Sequence, residues 1–107
     1  MSEQIILYVG AVEDLYVSVS GFMVDGQPAD PTLYAASLAL VSSGQDTGDW
    51  TWAQAEWVED TLPPQAKALF GEAEPLVAGT YWLYLRLQGT RERLICQAGR
   101  VRVKTRP

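Results

Sequence analysis

The chain has no histidine and one cysteine, Cys96, among its 107 residues. The missing imidazole removes the side chain that most often moves protons near neutral pH, so a metal site would have to be built from carboxylates alone. A single cysteine forbids an internal disulfide. With nothing to activate its thiol, Cys96 in the apolar group Leu94-Ile95-Cys96 reads as a small buried hydrophobe. Long hydrophobic runs are lacking too: residues 33–41 cover about half of a bilayer span. The start Met1-Ser2-Glu3-Gln4 has no basic residue of the kind that opens a signal peptide. Neither secretion nor a membrane is expected, and the expectation is for a protein that is not an enzyme and has no catalytic residues, metal or cofactor.

Bases are scarce in the first 79 residues, where twelve acids face Lys67 alone, for a charge of −11. Residues 80–107 reverse this, with seven bases against Glu92, for +6, and the two parts sum to the net −5. The negative total disfavours nucleic acid as the main partner, but the split describes a two-signed surface suited to ordered protein contacts. Glu13, Asp14, Asp46, Asp49, Glu56, Glu59, Asp60, Glu72 and Glu74 fall mostly in turn-like stretches and match no calcium-loop spacing, so they read as solvated loop acids.

What the chain does have is alternation. In Tyr81-Trp82-Leu83-Tyr84-Leu85-Arg86-Leu87-Gln88 the odd positions are apolar, so Tyr81, Leu83, Leu85 and Leu87 should line a core. Residues 94–104 repeat the pattern, with Val101 and Val103 inward, Arg100, Arg102 and Lys104 outward, and Ala98-Gly99 marking a bulge. Gly89-Thr90-Arg91 should form the hairpin tip between these two strands. Residues 5–9, 15–20 and 66–70 read as further strands. Residues 33–41 fit a strand best although their alanines and leucines also suit a helix, and residues 52–58 fit a short helix as well as a strand. Residues 26–32 and 42–49 read as connections, and residues 1–4 and 105–107 as loose ends. About seven short strands separated by turn signals every eight to twelve residues or so point to one all-β domain over residues 1–107, an antiparallel β-sandwich of immunoglobulin-like type.

Two groups of side chains stand out as interface candidates. The first is basic: Arg86, Arg100, Arg102 and Lys104 should share an outer sheet face, with Arg91 and Arg93 near the hairpin tip. It suits an acidic partner surface or a neighbouring copy. The second is aromatic. Four tryptophans exceed what a small sandwich core requires, which leaves Trp50, Trp52 and Trp82 as candidates for a contact platform, for protein or for sugar rings.

Several stretches in order carry a family resemblance. They are Asp30-Pro31-Thr32 before an alternating strand, the Trp50 to Trp57 segment, Ala66-Lys67-Ala68-Leu69-Phe70-Gly71, the run from Leu76 through Ala78-Gly79-Thr80-Tyr81 to Arg86, and Ala98-Gly99-Arg100-Val101-Arg102-Val103. In this order the chain resembles small immunoglobulin-like virion proteins encoded among the head genes of tailed phages infecting actinobacteria. It departs from them at the hairpin, where Gln88-Gly89-Thr90-Arg91-Glu92-Arg93 stands in place of an Asp/Asn- and Pro-rich loop. The resemblance implies a structural role in the virion as a capsid decoration or minor capsid protein. Its partners would be the major capsid protein or other virion proteins, bound in many copies, after synthesis in the host cytoplasm. A head-tail connector, neck or baseplate adaptor is the nearest alternative, and a carbohydrate-binding module using exposed tryptophans is the alternative from another class.

Overall fold

A computed structural model describes residues 4–42, 50–72 and 74–105. In chain order the strands are β1 (Gln4–Tyr8), β2 (Glu13–Ser18), β3 (Met23–Val24), β4 (Gln27–Pro28), β5 (Ala35–Ser42), β6 (Ala53–Gln54), β7 (Glu56–Val58), β8 (Gln65–Phe70), β9 (Gly79–Gln88) and β10 (Arg93–Lys104), with a 3₁₀ turn at Pro31–Leu33 before β5. Of the expected connection at residues 42–49, Ser42 ends β5, and residues 43–49, with Asp46 and Asp49, lie outside the described residues, as do residues 1–3, 73, 106 and 107.

Five strands form one sheet in the order β1-β10-β9-β5-β6, and β2-β8-β7 form a second. Their facing sides share one apolar core, in which Leu38, Leu83 and Val101 of the larger sheet meet Leu15, Ala66 and Ala68 of the smaller. The fold is all-β and sandwich-like, as the alternation requires. Leu83, Leu85, Leu87, Val101 and Val103 are all buried, on the face the sequence assigns them.

Local chemistry sets the borders. Asp30 caps the 3₁₀ turn by accepting from the Thr32 N–H at 3.0 Å and the Thr32 hydroxyl at 2.7 Å, and Pro31 starts the turn with a fixed φ. The tip at residues 89–92 is closed by the Gly89 N–H donating to the Glu92 carbonyl at 2.8 Å. The register of β9 with β10 shifts between Gln97 and Gly99, so the expected bulge is present. It matters because it changes parity: Leu94 and Cys96 before it, and Val101 and Val103 after it, all share the core side of the sheet.

Three expectations need correction, and the open choice at residues 52–58 is resolved as strand. The sheet pairing is not purely antiparallel, because β1 runs parallel to β10, which puts the first and last strands side by side in one sheet. Residues 52–58 are extended, in β6 and β7, since each strand finds an antiparallel partner there. The connection at residues 26–32 contains one strand of a two-residue hairpin, β3 with β4, whose turn uses Asp25 and Gly26 at positive φ. Cys96 is exposed and not a core residue, because no strand among the described residues covers the first half of β10 on its outer edge.

Candidate functional site

The outer face of the five-stranded sheet gathers most of the candidates. Even positions of β9 point outward, so Trp82, Tyr84, Arg86 and Gln88 form one row. Beside it on β10 run Arg93, opposite Gln88, Arg100, opposite Trp82, and Arg102, opposite Thr80. Next on β1 come Ile6, opposite Arg102, and Tyr8, opposite Lys104. The Arg93 Nε donates to the Gln88 Oε1 at 2.7 Å, which fixes it to this face. Arg91 stands apart, exposed in the hairpin tip.

Trp50 and Trp52 reach the same face from the segment leading into β6. The Trp50 ring lies 4.5 Å from that of Tyr84 and 5.7 Å from that of Trp52. The Arg86 guanidinium sits 4.5 Å from the Trp52 ring centre, and the Arg100 guanidinium 4.4 Å from that of Trp82. Ala39 and Val41 are buried on this outer side, the cross-strand neighbours of Tyr84 and Trp82. A thin second apolar layer therefore lies outside the main core, with cations stacked on it. Trp57 is the fourth tryptophan and does something different: it packs against the inter-sheet core, and its Nε1–H donates to the Tyr34 carbonyl at 2.9 Å, joining β7 to the entry of β5.

Charge follows the sheets. The strands of the larger sheet carry Arg86, Arg93, Arg100, Arg102 and Lys104 and no Asp or Glu. Those of the smaller sheet carry Glu13, Asp14 and Glu56 against Lys67. Lys67 is paired, its Nζ 3.4 Å from the Glu56 Oε1, and this hydrogen bond and charge hold its pKa above the usual lysine value. No carboxylate among the described residues pairs with the five cations of the larger sheet. The Arg86 Nη2 donates to the Ser37 hydroxyl at 3.4 Å, while its buried Nε has no partner.

The sequence identifies the basic residues and three of the four tryptophans on this face. It misses Tyr84, Tyr8 and Ile6. Tyr84 could have been found from parity alone, since it lies between Trp82 and Arg86 on the same row. Tyr8 and Ile6 depend on the parallel pairing of β1, a contact about a hundred residues apart that no local pattern encodes. Among the described residues no three or more His, Cys, Asp or Glu side chains cluster as a metal would require. Comparison of the chain with protein-family models, with curated proteins and with solved structures yields no match.

Proposed function

We propose that this protein is a non-enzymatic structural component of a phage particle, bound in many copies to the assembled shell through the basic outer face of its five-stranded sheet. The observation that carries the reading is the sorting of charge: five cations and no carboxylate on the strands of one sheet. Such a face is repelled by its like and attracted to acidic surfaces, and its surplus steers approach and register more than it adds affinity. Stacking on Trp52 and Trp82 orders two of the cations without neutralising them.

Two further features support an immunoglobulin-like sandwich, the fold of the phage proteins the sequence resembles. The sheets divide the chain as β2, β8 and β7 against β6, β5, β9 and β10, the partition of strands in an immunoglobulin domain. The Tyr81 hydroxyl, at the start of the penultimate strand, donates to the Val77 carbonyl at 2.7 Å, as the tyrosine corner of such domains does. A sugar-binding role is less well supported, because a guanidinium already lies over the rings of Trp52 and Trp82.

The test is to purify particles of the phage that encodes the chain and assay them by mass spectrometry and immunogold labelling. Shell labelling at hundreds of copies is expected. Six or twelve copies at one vertex would move the protein to the neck or tail, and its absence from particles would overturn the reading.

A further inference from the structure

The long strand β10 is paired on both sides only over part of its length. β9 covers one edge from Arg93 to Val103, but among the described residues β1 covers the other only from Arg100 to Lys104. Residues 93–98 therefore form a sheet edge with no neighbouring strand among the described residues, where alternate residues turn their N–H and C=O groups outward. Natural edges are guarded by charge, proline or a bulge; Arg93 and the bulge at Gln97–Gly99 stand at the two ends of this one, but Leu94-Ile95-Cys96 between them carries no guard, and Leu94 and Ile95 are 44% and 40% exposed. On the core side the edge borders a groove of about 520 Å³ between β10 and β2, lined by Leu83, Leu85, Val17 and Cys96.

From this edge we infer that two copies of the chain pair antiparallel through residues 93–98, joining their five-stranded sheets into one. The occupant is a second copy because the segment complements itself. With the register centred on Ile95, Ile95 faces its own copy on the outer side. Leu94 then faces Cys96 of the second copy on the core side, at the mouth of the groove. The charges agree with this direction. The two Arg93 side chains, four positions apart along the strands, are separated by roughly 13 Å or more, beyond the screening length in physiological salt. Glu92, the one acid of residues 80–107, stays at its own hairpin, where its Oε2 accepts from the Tyr34 hydroxyl at 3.2 Å, and takes no part in the pairing. Parallel pairing would set Arg93 against Arg93.

The two-fold axis stands perpendicular to the joined sheet, so both basic faces point the same way. The pair would bind an acidic lattice bivalently, but pairing itself does not depend on what the basic face binds.

Sedimentation velocity on the full chain in reducing buffer, from low micromolar to several hundred micromolar, tests the inference. A dimer fraction that rises with concentration is expected. Ile95→Lys places two ammonium groups across the axis and should weaken the dimer at least about tenfold with an unchanged far-ultraviolet spectrum. Arg102→Glu should leave it intact, which separates dimerisation from shell docking. Cys96, the only thiol, should cross-link its copy with a short bismaleimide in the wild type and not in Ile95→Lys. Amide exchange on the wild type supplies a readout free of any variant: residues 93–98 should be slower at high concentration. A chain that stays monomeric throughout, a dimer undiminished in folded Ile95→Lys, or exchange at 93–98 that ignores concentration would each overturn the inference.

Discussion

The guanidinium of Arg100 lies 4.4 Å from the ring centre of Trp82, its cross-strand neighbour on β9. Arg86 repeats the arrangement with Trp52, so two cations on one sheet face are ordered by aromatic rings where a carboxylate would be the ordinary partner. The difference has a functional consequence. A salt bridge would have cancelled the charge, whereas a cation over a ring keeps it available, at a local gain of about 0.5–1 kcal/mol for an exposed pair.

The double variant Arg100→Glu, Arg102→Glu should therefore lose shell occupancy with little loss of fold. Stability should fall by only about 1 kcal/mol, since both side chains are exposed and one stacking contact is removed. Occupancy should drop steeply. For the wild type it should also decline as salt rises, because exposed charges are screened over a Debye length. Quantitative gels of particles reconstituted at graded salt read the first effect and urea unfolding the second. A folded double variant that fills particles as the wild type does would exclude this face as the contact.

Leu85→Ala tests the parity on which the whole site rests. Leu85 is 2% exposed and sits between Leu38 and Cys96 in the sheet, so its removal leaves a cavity and should cost roughly 2–5 kcal/mol in urea or thermal unfolding. Leu94→Ala, on the same side but 44% exposed at the open edge, should cost under about 1 kcal/mol. Equal losses would mean that Leu94 at the edge of β10 is packed as tightly as Leu85 in the middle of the sheet, against the exposure described.

The parity of β9 and β10 was legible because two long strands, a glycine-bearing tip and an Ala98-Gly99 bulge determine their own register. Counting back from the tip through the bulge sets Arg100 opposite Trp82, a pairing available from the sequence once the bulge is accepted. The exposure of Cys96 was not legible. Leu94-Ile95-Cys96 has the composition of a core strand, but among the described residues β1 covers β10 no further back than Arg100, which leaves it open. The fate of the tryptophans was half legible: alternation places Trp50 and Trp52 on one side, but nothing local says that Trp57 would turn to the core and donate to the Tyr34 carbonyl. Residues 52–58 were ambiguous because two strands of two and three residues are too short to show a period.

Asp30 gives the acid limb of stability a local origin. Two hydrogen bonds from Thr32, the hydroxyl first and the backbone N–H second, favour the ionised carboxylate and hold its pKa below the ordinary value near 3.8. With the folded value depressed, the contribution is fully present above the unfolded pKa and is lost as pH falls through the folded one. Stability measured from pH 6 down to pH 2 should therefore fall more steeply below about pH 4 in the wild type than in Asp30→Asn, which has no proton to take up. An NMR titration of Asp30 with a midpoint at or above the ordinary value would contradict the cap.

Gly71 follows β8 at φ +97°, and a Cβ built there would collide with the backbone carbonyl of Ala11 in the β1–β2 connection. Gly10, in that same connection, has φ +87° but open space around it. The pair separates two costs that usually arrive together. Gly10→Ala bears only the backbone strain of a left-handed conformation, about 1 kcal/mol, whereas Gly71→Ala adds the displacement of a main-chain carbonyl and should cost about 2–4 kcal/mol. Since Ala11 leads directly from β1 into β2, the displacement is felt by both sheets, and it should loosen β1 on β10 as well as lower the melting temperature. Amide exchange resolves this: in Gly71→Ala the protection of Ile5, Leu7 and Val9 should fall with that of β2, while Gly10→Ala leaves both near wild type. Equal destabilisation by the two alanines would mean that backbone strain accounts for the whole effect and that the approach of Gly71 to Ala11 is not a constraint.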